Sequence, residues 1–397
     1  MSRNRVIERL HRGLVICAVL GLLTGSARAQ ASLDIAMVDG NAQRSRVVST
    51  QSVDTPPQQW LWQSERLFQI KYSVPFSSQT GPIMIRGDLP TFHSFTFPIV
   101  SQGIVFFTLY VDNAYFYAVD ANTGKQLITL KFDNNRLSAP AAFGQVAVFG
   151  TSSGNVYAYD MSTRSMKWSY QGQGSFSYSS PVIDDGVVYF SGEGDGIVAL
   201  AADTGTVKWK IKADQLLYRP AIKGDNLVVY GVEGKLLSFN KKTGTQNWQT
   251  KLGRNFGATA ILDDQVFVTH ELGEIRAYSL ADGTLRWKSK KDGGTQTGLA
   301  LFNDSVIYGE EYGNIVALDA HTAAQKWKFK TKKRCLSPIV AGETVYTSCQ
   351  DHHLYAIDAK TGELKWKFDW KRNGPLPTFA NGTMYFLSTD GILQAAK

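Results

Sequence analysis

Ala356-Ile357-Asp358-Ala359-Lys360-Thr361-Gly362-Glu363-Leu364-Lys365-Trp366 decides the fold, because imperfect copies of this stretch recur through most of the chain. Aligned on the final position, the copies place Ile128, Trp168, Trp209, Trp248, Trp287, Trp327 and Trp366 in one slot, 39 to 41 residues apart. A period that regular is the signature of a repeat architecture. Each slot has a physical job. The Asp and Thr side chains can bond backbone N–H groups of a tight turn, and the Gly tolerates positive φ before the next strand begins. The Trp then points sideways and can wedge between repeats, which makes Trp168, Trp209, Trp248, Trp287, Trp327 and Trp366 candidate docking residues. Loss of one such ring costs about 3 kcal/mol or more. Some copies vary: Arg164 and Ala323 stand for Gly, Ala201 and Ser279 for Asp, and Ile128 for Trp.

Outward from the Trp slot, every repeat has the same internal order. In the third copy, residues 180–183 and 187–190 read as short strands around Asp184-Asp185-Gly186; residues 197–200 and 207–211 follow. Four short antiparallel strands per forty residues make a propeller blade, and the short β-branched runs lack the helical periodicity of two-helix repeats. Seven copies end at Trp366. Residues 377–379, 383–386 and 391–394 then supply three strands of a further blade, whose outer strand Trp60 can provide, since Thr55 and Trp60 reproduce the Thr361 to Trp366 offset. The expected fold is therefore an all-β, eight-bladed propeller over 55–397, closed by an N-terminal strand, with seven blades as the alternative. Residues 63–95 form an insertion rich enough in apolar residues to be ordered.

The first 29 residues read as an export signal: basic residues to Arg12, an apolar run from Leu14 to Leu23, and Ala27-Arg28-Ala29 as the cleavage site. Cys17 lies inside the apolar run and not after a lipobox, so no lipid attachment is expected, and the run is too short for a permanent span. Residues 30–54, polar and without sustained periodicity, are expected to be a mobile leader. The formal charge of +8 falls to +4 without the first 29 residues, too mild to imply a nucleic-acid partner. Export leaves Cys335 and Cys349 in an oxidising compartment. If residues 336–348 form a hairpin centred on Gly342, the two cysteines face each other, and a structural disulfide is expected. Their spacing is not that of a redox-active or metal-binding pair.

The A-x-D-x-x-T-G-x-x-x-W repeat resembles the tryptophan-docking motif of the quinoprotein-like, PQQ-repeat propellers over about residues 95–397. That superfamily contains pyrroloquinoline quinone (PQQ) dehydrogenases and also non-enzymatic members, and among the latter the chain is most similar to BamB-type outer-membrane protein assembly factors. The resemblance implies a periplasmic, monomeric propeller that acts as a protein-binding scaffold, in outer-membrane protein assembly or envelope biogenesis. The alternative is a PQQ-dependent oxidoreductase, whose relatives carry adjacent cysteines by the cofactor and a Glu/Asn/Asp set around calcium. No such set stands out here, so no cofactor, metal or catalytic residue is expected. Glu193, Asp195, Glu310, Glu311 and Asp351 read as solvated turn residues, and Asp351, His352 and His353 give only a weak metal signal. Strand alternation puts the links between blades and the turns between second and third strands on one face. There Phe176, Tyr178, Tyr218, Arg219, Arg254, Phe256, Lys333, Arg334 and Arg372 are candidate residues for binding an extended peptide or a partner protein.

Overall fold

In the computed structural model the ring closes at eight blades. The structure describes residues 18–20, 35–38, 47–49, 53, 55–57, 60–64, 77–78, 81–82, 94–96, 98–110, 113–177, 179–213, 215–253, 259–270, 273–289, 298–370, 377–387 and 392–397. Blades 1 to 7 occupy 99–132, 141–171, 182–211, 217–251, 259–288, 300–330 and 339–369. Each is an antiparallel meander whose first strand is innermost and whose fourth is outermost. Blade 8 combines Thr378–Ala380, Thr383–Leu387 and Leu393–Ala396 with Trp60–Gln63 as its outer strand. Joining the two ends of the chain in one sheet removes the open edge that an unclosed ring would expose.

The burial pattern follows the sheet. The middle strands are covered on both faces by neighbouring blades and read as continuous apolar runs, as in Val187–Ser191, every residue of which is buried. The outer strand alternates, with Trp366 alone buried in Leu364–Asp369. A bulge in that strand precedes the Trp: Ala356 pairs with Trp366 but Ile357 pairs with Leu364.

The motif turn behaves as its residues dictate. One carboxylate oxygen of Asp358 accepts from the N–H groups of Lys360 and Thr361 and from the Thr361 hydroxyl. Gly362 has φ +77°, and Arg164 and Ala323, which replace Gly, hold φ +53° and +61°. The Gly slot has a second function. A Cβ on Gly362 would stand 2.7 Å from the Trp327 ring of the preceding blade, and one on Gly205 would stand 2.6 Å from that of Trp168. Trp327 and Trp168 thus lie on bare glycines, and the indole N–H donates to a nearby carbonyl of the same turn: Trp327 to Ala359 at 3.0 Å, Trp168 to Ala202 at 2.9 Å. Trp209, Trp248 and Trp287 do the same to Lys241, Leu280 and Ala320.

The closing blade departs from the sequence reading. Trp62, not Trp60, fills the wedge slot: it pairs with Ala395, and its indole donates to Ala121 of blade 1 at 2.9 Å. Trp60 sits at the bulge, 39% exposed. The turn before it is completed by a separate piece of chain, so its length is free of the repeat. The carbonyl offered to Trp366 comes from Val53, which also bonds the Tyr346 hydroxyl through its N–H at 2.7 Å. From Val53 to Trp62 is two residues more than from Ala359 to Trp366, which displaces the Thr to Trp offset.

Two short strands lie in the stretch read as a leader. Ile35–Val38 pairs antiparallel with the innermost strand of blade 2, and Val47–Ser49 pairs parallel with that of blade 7. Ala18–Leu20 pairs in turn with Ile35–Val38. Of the insertion over 63–95, strands Ser77–Ser78, Gly81–Pro82 and Ser94–Phe95 are described.

Candidate interaction face

The two ends of the ring are built differently. On one, each turn between first and second strands bonds the motif turn of its own blade, as Ala359 N–H does to the Glu343 carbonyl. On the other, the links between blades lie against the turns between second and third strands: Phe176 N–H donates to Thr151, and Glu193 N–H to Ser175. The expected pairing of links with second-turn residues on one face is thus what the backbone bonds build.

The sequence-predicted residues divide sharply on this face. Phe176 is wholly buried, packed 5.8 Å from the Phe190 ring and against Gly150 and Gly192. Tyr218 is buried and stacked on Tyr230 at 5.1 Å. Arg219, at φ +30° beside a bulge, is also buried. These three cap the ends of blades. Lys333 is exposed and Arg334 half-buried. Tyr178, Arg254, Phe256 and Arg372 lie outside the described residues.

The turn acids also divide. Glu193 and Glu311 are exposed, but Asp195, Glu310 and Asp351 are not solvated as their turn positions suggest; their side chains are 8%, 5% and 5% exposed. The adjoining link covers them, and each carboxylate is held by partners. Asp195 accepts from the Tyr170 hydroxyl and the Gln173 N–H, both at 2.9 Å. Burial, then this carboxylate, pushes the Tyr170 phenol up to about 12. Glu310 takes Lys328 at 2.9 Å and the Asn314 amide. Asp351 takes the Tyr355 hydroxyl at 2.6 Å, and burial together with that bond raises the Tyr355 phenol strongly. The His353 ring contacts the Asp351 carbonyl through Nδ1 at 2.8 Å.

Cys335 and Cys349 form the expected disulfide, with Cα atoms 3.9 Å apart. The strands of blade 7 are registered about the bond between residues 342 and 343, with Ile339 opposite Tyr346. The register slips by one residue before the cysteines, so that Leu336 N–H bonds Ser348 and Gln350 N–H bonds Arg334 on either side of the bridge. That is the close, non-hydrogen-bonded pair in which a bridge fits.

Around this bridge lie exposed residues that sequence reasoning passed over. Tyr312, in the second turn of blade 6, is 78% exposed, the highest value among the exposed large apolar side chains described. Lys332 is exposed next to Lys333. Val232 adds a smaller apolar contact surface on blade 4, at 39%.

The family model for outer membrane protein assembly factor BamB matches residues 51–214, 173–288 and 271–397. The chain belongs to this BamB-type PQQ-repeat family. Among solved structures, BamB from Moraxella catarrhalis aligns at TM-score 0.57 and 16% identity, covering 72% of this chain and 94% of that one. A quinohemoprotein alcohol dehydrogenase, ADHIIG from Pseudomonas putida HK5, aligns at TM-score 0.63 and 12% identity, covering 89% and 79%. The computationally designed Ika8 protein aligns at 0.65 and 16%, covering 75% and 94%. At these identities the likeness is one of fold. No curated protein is matched by the sequence.

The described cysteines and link-face acids are engaged within the protein. The cysteines are fourteen positions apart, buried and bonded to each other, and the link-face acids Asp195, Glu310 and Asp351 are committed to the partners just given. Among the described residues one cluster has metal-ligand chemistry, Asp263, Asp304 and His321 within 4.8 Å. It lies on the opposite face, exposed, with Lys223 3.6 Å from Asp263. No described helix is long and apolar enough to cross a membrane.

Proposed function

We propose that this BamB-type protein is a non-enzymatic scaffold of the bacterial envelope that binds a protein or extended peptide on its link face, in outer-membrane protein assembly or envelope biogenesis. The observation that carries the reading is the character of that face: exposed Tyr312, Lys332 and Lys333 stand over buried, fully partnered acids, so its surface is built for contact and not for proton transfer. Family membership supports it. Export through cleavage after Ala29, without lipid attachment, belongs to the same proposal.

The test is capture of partners from an envelope fraction by the folded chain, read by mass spectrometry, against a variant carrying charge reversals on the link face and a control carrying them on the turn face. A partner lost by the first variant and kept by the second is the expected result; equal capture by both removes the assignment to this face. The ADHIIG likeness makes an oxidoreductase the rival reading. Addition of PQQ and calcium, followed by absorbance and by dye-coupled oxidation of alcohols and sugars, tests it. We expect no change, and turnover would displace the scaffold reading.

A further inference from the structure

We propose that Lys332, Lys333 and Arg334, with Tyr312 beside them, form a preformed dock for an extended acidic segment of a partner protein; this rests on the reading of the link face as the binding face. The first support is charge left unspent on Lys332 and Lys333. Lys328, on the outer strand that leads into this link, is neutralised by Glu310 at 2.9 Å, whereas Lys330 after it is exposed and forms no ion pair with any described residue. Lys332 and Lys333 are exposed and form no ion pair with any described residue. Consecutive cations repel one another in the free protein, and an anionic partner relieves that repulsion. Glu310 and Asp351, the buried acids of the two flanking turns, are held by Lys328 and Asn314 and by Tyr355, which leaves Glu311 as the exposed acid beside Tyr312.

The second support is rigidity, to which a disulfide contributes in this link alone among the described ones. Thr331 N–H donates to Gly313 at 2.7 Å, and the Thr331 hydroxyl lies 2.8 Å from the Lys333 carbonyl. Gly313, at φ +90°, packs so closely that a Cβ there would stand 2.6 Å from the Lys333 carbonyl, which seats Tyr312 next to the cations. On the other side Gln350 N–H bonds Arg334, and the 335–349 disulfide staples the link to the second turn of blade 7. A ridge already ordered loses little conformational freedom on binding, and an exposed aromatic beside fixed cations is the composition of an interface anchor. Exposed Lys330 brings the run to four basic residues, so an anionic membrane surface is the competing occupant that the vesicle arm of the test separates from an acidic segment. The occupant that fits is a strand-like segment bearing several Asp or Glu and one large apolar residue to cover Tyr312.

The probe is a fluorescein-labelled decapeptide with six Glu flanking a central Trp, measured by fluorescence anisotropy against the same peptide with Gln for Glu. The acidic peptide should bind at least about tenfold tighter, with affinity falling as salt rises. K332E/K333E should weaken it more than tenfold, and Tyr312→Ala and Cys335→Ser/Cys349→Ser each severalfold, in chains whose circular dichroism matches wild type. Lys360→Glu, on the turn face, should leave binding unchanged. Equal binding of the two peptides, indifference to K332E/K333E, or preference for phosphatidylglycerol-containing vesicles over the acidic peptide would overturn the proposal. If wild type and K332E/K333E capture the same envelope partner, this dock is wrong while the scaffold reading stands; if wild type captures none, the scaffold reading itself falls.

Discussion

The joint between blades 6 and 7 and the joint between blades 1 and 2 solve one packing problem in two ways. In the first, the Trp327 indole lies on bare Gly362 and bonds the Ala359 carbonyl. In the second, Ile128 stands in the wedge slot, and the residue in the glycine slot of the next blade is Arg164, exposed, at φ +53°. The comparison separates two demands that the motif merges. Positive φ is required at both joints; a long side chain stands in the slot where the ring is absent, whereas the turn that accepts the Trp287 indole carries Ala323 at φ +61°, so a single methyl is accommodated at one tryptophan joint. Glycine and tryptophan in neighbouring repeats therefore pack as a pair: the copy that lost the ring keeps its own Gly124, and the long side chain of Arg164 stands in the slot of the next copy, which that ring would have covered.

Trp327→Ala should break the first joint most severely, by about 3 to 5 kcal/mol, because it removes a buried ring and strands the Ala359 carbonyl. The measurement is chemical denaturation against wild type, with Ile128→Ala expected to cost less. Gly362→Ala comes next, at about 1 to 3 kcal/mol, since the new Cβ meets the ring at 2.7 Å and must also hold φ +77°. Arg164→Gly should have the opposite sign and stay within about 1 kcal/mol, because it relieves positive φ where no ring waits. If both glycine-slot changes destabilise equally, the distinction between the joints is wrong.

The comparison also shows what could be read before any coordinates. Blade count, ring closure and the disulfide follow from local patterns: a fixed period, turn residues at fixed offsets, and two cysteines symmetric about a hairpin. The packing of a wedge on the glycine slot of the next blade is marked in the sequence by the coincidence of Ile128 with Arg164, but it links residues more than thirty positions apart and is invisible within one repeat. Trp62 was missed for Trp60 because the closing turn is made by a noncovalent junction, where two extra residues cost nothing in register. Asp195, Glu310 and Asp351 were read as solvated because turn position suggests exposure, whereas the neighbouring link decides it; a tyrosine four residues after Asp351 was the available signal. On the link face, Lys333 and Arg334 were legible as charge in a link. Tyr312 was not, since one exposed aromatic among many buried ones has no mark in composition.

Rebuilding the motif at the divergent joint is the sharper experiment. Ile128→Trp alone should destabilise, because the new ring meets the long Arg164 side chain; combined with Arg164→Gly it should be recovered, with a coupling energy of about 0.5 to 3 kcal/mol in a double-mutant cycle. Additive effects would mean that the two slots are independent and that their joint loss is an accident of this chain.

The smallest effect distinguishes the motif turns by charge. The Ser162 hydroxyl, followed by backbone N–H groups and Lys167, holds the Asp160 carboxyl below the usual range despite partial burial. At Asp319 and Asp358 burial is the largest influence and works upward, yet backbone donors, hydroxyls of Thr322 and Thr361, and Lys326 and Lys365 bring both below it as well. A carboxyl depressed on folding contributes stability that is fully present above its unfolded value, about 3.9, and that is lost as pH falls through the folded value. Blade 4 shows the neutral alternative, since Asn240 makes the same bonds to Lys242 and Thr243 N–H groups at 2.9 and 3.2 Å. Replacing Asp160, Asp319 and Asp358 together by Asn should therefore keep the turns at neutral pH, within about 1 kcal/mol per site, and flatten the fall of stability below about pH 4. Denaturation midpoints at pH 7 and pH 3 measure both quantities. An undiminished fall at pH 3 would make the charged turns a matter of geometry alone.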